Sequence, residues 1–126
     1  MKILIVDDSR MDRRLLMSTL SKSGIENEIL QAEDGEQGIQ LLSENQADIG
    51  LVLLDWQMPK VDGIAFMKAV VQSPLPMDSI PIIMITASGS DENKKLAHDV
   101  NPNLAGYVVK PYKKEELIEL INKHLK

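Results

Sequence analysis

The stretch LVLLDWQMP, residues 51–59, runs through four aliphatic residues and then stops at Asp55. An unbroken apolar run, with no polar alternation, suits a strand covered on both faces. Met58-Pro59 must then turn, because proline has no amide proton for a continuing strand or helix. A strand built for burial thus carries a carboxylate at its own end, where desolvation penalises the charge. The design recurs. Ile3–Val6 runs into Asp7-Asp8, Ile82–Ile85 into Thr86, and Tyr107–Val109 into Lys110-Pro111. The more mixed Glu28–Ala32 suits an edge strand.

Helical patterns fill the intervals. Ser9-Arg10-Met11-Asp12 has the form of a capping box with Asp in place of Glu or Gln, and Met11, Leu15, Leu16 and Leu20 follow at helical spacing. Gly24 is placed to stop that helix. Asp34-Gly35-Glu36-Gln37 opens a second helix reaching about residue 45, with Ile39, Leu41 and Leu42 as its inner residues. Asp62 caps a third, turning Ile64, Met67, Val70 and Val71 inward. Ser90-Asp91-Glu92-Asn93 starts a fourth that Pro102 must end, and residues 115–125 form a fifth carrying Leu117, Ile118, Ile121 and Leu125. Strands alternating with helices predict an α/β fold, a five-stranded open parallel sheet with right-handed crossovers. In such sheets the working crevice lies at the carboxyl ends of the strands, near the switch in strand order.

The bulk properties narrow the function. The 126 residues suit a single domain spanning 1–126. The absence of cysteine excludes disulfides and thiolate chemistry. A net charge of −5 opposes general nucleic-acid binding, and 3% aromatic residues leave little with which to stack a base or a flavin. The apolar runs are too short for a membrane span or a signal peptide, so the expected location is the cytoplasm. The methionines at 11, 17, 58, 67, 77 and 84 read as core or loop fillers.

If the sheet is parallel, Asp7, Asp8, Asp55, Thr86 and Lys110 all face one rim. Carboxylates held within about 4–6 Å of one another resist full ionisation, and a hard divalent cation removes that penalty. Mg²⁺ takes one or two carboxylates and completes its shell with carbonyl, water and phosphate oxygens, while the cluster lacks the soft ligands zinc prefers. His98 and His124 fall on helices away from the rim and read as surface residues. A carboxylate beside such a cation can attack phosphorus, giving an aspartyl-phosphate, with Lys110 and the Thr86 hydroxyl available to other phosphoryl oxygens.

Asp7-Asp8, Asp55-x-x-Met58-Pro59-x-x-Asp62-Gly63, Thr86-Ala87, Tyr107 and Lys110-Pro111 together resemble the receiver domain of bacterial two-component response regulators, over residues 2–126. The stand-alone chemotaxis-regulator type is nearest in length. The resemblance implies a flavodoxin-like (βα)5 fold with strand order 2-1-3-4-5 and helices on both faces. It implies Asp55 as phosphoacceptor, with Mg²⁺ held by Asp8, Asp55 and the Gln57 backbone carbonyl, and by Asp7 directly or through water. It also implies Lys110 as a phosphoryl contact, Thr86 and Tyr107 as a switch pair, and a cis Lys110–Pro111 bond. The implied partners are a histidine kinase or phosphotransfer protein, and a downstream protein on the face of helix four, strand five and helix five. Asn103 stands where a helix-ending glycine is common, Lys113 where a capping side chain is usual, and Tyr112 where phenylalanine is frequent.

Three rivals compete with this reading. A haloacid-dehalogenase-like phosphatase needs a second acid two residues after the nucleophile, where this chain has Gln57. A flavodoxin needs a phosphate-cradling loop after the first strand, where this chain has Ser9-Arg10-Met11-Asp12. A degenerate receiver that only binds partners would not keep the full residue set. No nucleic-acid-binding segment follows the fifth helix, so a lone receiver without an output domain is expected to act through a protein contact. A receiver cut from a longer regulator remains the alternative.

Overall fold

The structure is a computed structural model that describes residues 1–74 and 79–125; Met77 lies outside them. The apolar runs form strands β1 (Lys2–Val6), β2 (Ile29–Ala32), β3 (Ile49–Leu54), β4 (Ile82–Thr86) and β5 (Gly106–Val109). Between and after them lie α1 (Arg10–Lys22), α2 (Gly35–Glu44), α3 (Gly63–Gln72), α4 (Asp91–Val100) and α5 (Lys114–His124). All pairings are parallel and the order is β2-β1-β3-β4-β5, the flavodoxin-like arrangement. The order reverses at β1 and β3, so the crevice expected at the switch point opens between the strands that end in acids.

The continuous runs have the reason inferred for them. Leu4, Val6, Val52, Leu54, Ile82 and Met84 pack in one core with Leu42 of α2, Phe66, Met67 and Val70 of α3, and Ala97 of α4. Their neighbours Ile3, Ile5, Leu51, Leu53, Ile83 and Ile85 pack in a second core with Leu16 and Leu20 of α1 and Leu117 and Ile121 of α5. Each fully buried aliphatic side chain contributes about 1.5–3 kcal/mol of transfer free energy, so polar alternation on either face would be costly. Among the described residues no helix is long and apolar enough to cross a membrane.

Four helices start as their sequences predict. Ser9, Asp34, Asp62 and Ser90 each sit at an N-cap and accept a hydrogen bond from the backbone N–H three residues on. Lys113 caps α5 without a side-chain bond, as its identity implies. Gly24, at φ +82°, ends α1. The N–H of Gly24 donates to the Ser21 carbonyl and that of Ile25 to the Leu20 carbonyl, the double closure of a Schellman turn.

Several local expectations need correcting. Ser9 caps α1, but Asp12 does not return the favour, because the Ser9 N–H already donates to Asp7 Oδ1 at 2.9 Å. Met11 and Leu15 are not inner residues. They are 71% and 58% exposed, and the buried face of α1 is Arg13, Leu16 and Leu20. Val71 is likewise exposed, while Phe66 fills the core from α3. Asn103 does not use the left-handed conformation, for Lys60 is the one non-glycine with positive φ among the described residues. The chain leaves α4 instead through buried Asn101, whose side-chain oxygen accepts from the Asn103 N–H at 3.1 Å.

Candidate functional site

Backbone hydrogen bonds extend the sheet by one residue beyond its strands and thereby fix the site. The Asp55 N–H donates to the Val6 carbonyl at 2.9 Å, that of Asp7 to the Ala32 carbonyl at 3.1 Å, and that of Lys110 to the Thr86 carbonyl at 2.8 Å. The residues that close β1, β3, β4 and β5 thus meet at one rim. Asp7, Asp8 and Asp55 each present a carboxylate oxygen within 4.8 Å of the others. Asp7 is buried, Asp55 is half-buried, and Asp8 is open to solvent.

Lys110 is the counter-charge. Its Nζ lies 3.0 Å from Asp12 Oδ2, 3.4 Å from Asp7 Oδ2 and 3.8 Å from Asp55 Oδ1. One ammonium cannot neutralise that many acids. Burial, helped by the charge of Asp7 and opposed by Lys110, pushes the Asp55 carboxyl up to about 6. Burial also raises Asp7, with the N–H of Ser9 and Lys110 opposing. Burial works against the Lys110 charge, but its hydrogen bond to Asp12 and the charges of Asp55 and Asp7 outweigh this and hold the ammonium above its usual range. The cluster therefore has an unmet demand for positive charge, and oxygen ligands with which to meet it. The Lys110–Pro111 bond is cis, as the resemblance implied.

The remaining sequence-predicted residues surround this core. Gln57 is exposed on the loop after Asp55, where its carbonyl rather than its side chain is the candidate ligand. Thr86 is buried at the end of β4, and its Oγ1 accepts from the Ser88 N–H at 3.2 Å. Tyr107 is half-buried, packs edge-on against Trp56 with ring centroids 6.5 Å apart, and donates its hydroxyl to the Ser88 carbonyl at 2.7 Å. Burial raises its phenol above the ordinary range. Thr86 and Tyr107 thus converge on one residue of the β4–α4 loop.

Sequence reasoning missed Arg13. Its side chain is buried, with Nη1 donating to the Asp7 carbonyl at 2.7 Å and Nε to Gln31 Oε1 at 3.1 Å. It braces the β1–α1 turn that carries both acids. The signal was present, since stepping back from Leu20 and Leu16 by helical intervals lands on residue 13. Arg13→Ala is expected to cost about 2–3 kcal/mol, because the buried Asp7 carbonyl loses a charged donor. A urea midpoint unchanged from wild type would show that this brace carries no load.

Carboxylates flanking the switch point of a 2-1-3-4-5 sheet, with a lysine against them from the last strand, define a phosphoacceptor receiver of signal transduction. Comparison with known proteins agrees. The model of the response regulator receiver domain matches residues 3–122. The chain is 39% identical over 119 residues to chemotaxis protein CheY1 of Helicobacter pylori, covering 94% of this chain and 92% of that protein. It is 34% identical to the CheY homolog of Campylobacter jejuni subsp. jejuni, covering 94% and 88%. The structure of Vibrio cholerae chemotaxis protein CheY4 superposes with a TM-score of 0.82 at 30% identity, covering 98% of each chain. A putative response regulator from Chloroflexus aurantiacus gives 0.84 at 29% identity, covering 97% and 94%. The chain belongs to the response regulator receiver family.

Proposed function

We propose that Asp55 is the phosphoacceptor and that this chain catalyses its own phosphorylation and dephosphorylation. The observation that carries the reading is the convergence of Asp7, Asp8 and Asp55, with Lys110 3.8 Å from Asp55. An Asp55 carboxylate oxygen attacks phosphorus in a phosphohistidine presented by a histidine kinase or phosphotransfer protein. The new P–O bond forms as the P–N bond breaks, and the departing electron pair returns to the imidazole, which takes up a proton from solvent. Lys110 moves onto one phosphoryl oxygen and the Thr86 hydroxyl donates to another. Later attack by water on phosphorus breaks the P–O bond to Asp55, releasing inorganic phosphate and restoring the free carboxylate. Asp8, Asp55 and the Gln57 carbonyl, with Asp7 directly or through water, would hold Mg²⁺, whose role when bound is to neutralise charge on the carboxylates and phosphoryl oxygens.

The readout is a protein contact. Donation by Thr86 to a phosphoryl oxygen alters the β4–α4 loop that Thr86 and Tyr107 share through Ser88. That biases the surface formed by α4, β5 and α5 between two arrangements. The packing of α4 supports this, since Ala97 is its one buried residue and Leu96 is 43% exposed, so little core is disturbed when α4 shifts. The downstream partner docks on that face.

The test combines a small phosphodonor with metal control. Acetyl phosphate with Mg²⁺ should add one phosphoryl group, seen in the intact mass, and EDTA should prevent it. Mg²⁺ at a hundredfold over its Kd should also stabilise the fold by about 2.7 kcal/mol. Coincident thermal melts in EDTA and in Mg²⁺ would remove the metal assignment, and absent labelling would remove the phosphoacceptor one.

A further inference from the structure

Asp12 is a fourth carboxylate at the rim, and the phosphoacceptor reading gives it no task. Its place in α1 is that of a capping-box partner, three residues after Ser9, but the N–H it would reach is occupied by Asp7 Oδ1. It bonds Lys110 instead, at 3.0 Å, closer than Lys110 stands to Asp7 at 3.4 Å or to Asp55 at 3.8 Å. Asp12 is attached to a helix, whereas the acids Lys110 could otherwise serve end strands, so the pair links α1 to the turn after β5. Asp12 and Lys110 also line one groove with Leu15, Leu16, Pro111 and Tyr112, which leaves the ammonium an open side on which to exchange partners.

We propose that Asp12 is a positioning residue that tethers Lys110 at the outer edge of the acid cluster, so that the lysine must exchange this carboxylate for a phosphoryl oxygen when the protein is phosphorylated. The inference rests on the phosphoacceptor reading above. Two consequences follow from the tether. It opposes the phosphorylated state, because the ion pair must be given up. It favours metal binding in the resting state, because an ammonium held by Asp12 competes less for Asp7 and Asp55. Asp12 is partly exposed, so each effect is of the size of a surface ion pair, roughly two- to fivefold.

Beryllofluoride with Mg²⁺ mimics a phosphoryl group, and Trp56, next to Asp55, can report its binding by fluorescence. Asp12→Asn is expected to tighten beryllofluoride binding at saturating Mg²⁺ roughly two- to fivefold, and to weaken Mg²⁺ binding without the mimic by a similar factor. Asp12→Glu, which keeps the charge and can still reach, should return both toward wild type. The Mg²⁺ effect should shrink in a Lys110→Met background, because the ammonium through which Asp12 acts is gone. Unchanged or weaker mimic binding by Asp12→Asn overturns the tether. So does a Mg²⁺ effect that persists undiminished without Lys110, since Asp12 would then act through its own field. A wild-type protein that binds neither ligand would instead remove the phosphoacceptor reading beneath it.

Discussion

Asp55→Asn is expected to abolish labelling by acetyl phosphate and, in EDTA at neutral pH, to leave the protein more stable than wild type. The first outcome follows because the amide oxygen is no nucleophile toward phosphorus. The second follows from the cost of the site. The Asp55 carboxyl is raised from 3.8 to about 6 in the fold, chiefly by burial and then by the charge of Asp7. The folded state therefore binds this proton more tightly than the unfolded one. The associated stability is fully present below pH 3.8 and is lost as pH rises through about 6. A shift of that size corresponds to about 3 kcal/mol, the upper limit of what asparagine should recover at pH 7.5. The metal-free wild type should accordingly gain stability as pH falls from 7.5 toward 5, opposite to the usual behaviour of paired carboxylates. The variant should show a flatter profile, with a residual slope of the same sign from Asp7, which burial also raises. Denaturant titrations in EDTA at several pH values measure this. A variant less stable than wild type at pH 7.5 would mean that Asp55 is ionised without penalty, and the demand for a cation would lose its basis.

The same cost explains why so much of the site could be read from sequence. A carboxylate ending a buried apolar run is a local contradiction, and Asp7 and Asp55 each stand at such an end, while Lys110 closes the shorter, less buried β5. The parallel order then forces them to a single rim, so strand assignment and site assignment were one inference. Residues on helices near the rim were less legible. Asp12 looked like a cap because sequence gives its offset from Ser9 but not the competing bond from Ser9 to Asp7. Met11 and Leu15 looked like core because periodicity identifies a stripe without saying which of two adjacent stripes faces the sheet. Here the inner stripe includes a buried arginine, which composition alone places outside. Phe66 lies off the expected stripe of α3 for the same reason, although it fills the space left open by Gly38, where an added Cβ would come to 3.0 Å from its ring. Tyr107 had its place on the last strand from sequence, but its bond to the Ser88 carbonyl depends on loop geometry that no side-chain pattern encodes.

Gly63→Ala should cripple phosphorylation without touching a reacting group. Gly63 opens α3, and its N–H donates to the Trp56 carbonyl at 2.7 Å. A Cβ there would lie 2.8 Å from the Asp55 carbonyl oxygen and 2.9 Å from the Trp56 Cα. Both are backbone atoms, so no side chain can rotate away, and either α3 or the end of β3 must move. Overpacking of this kind costs about 1–3 kcal/mol. The kinetic effect should be larger, because the displaced segment carries Asp55 itself and the Gln57 carbonyl, and a misplacement near 1 Å can cost on the order of a hundredfold in rate. Gly24→Ala provides the control. Nothing lies within 4 Å of an added Cβ there, but φ is +82°, so alanine is strained by about 1–2 kcal/mol far from the rim. The two variants should lose similar stability, yet Gly63→Ala alone should lose phosphorylation rate, measured by intact mass after timed exposure to acetyl phosphate. Equal rates in both would mean that the loop after Asp55 absorbs the extra carbon without moving Asp55, and that the contact between α3 and the end of β3 does not set the geometry of the site.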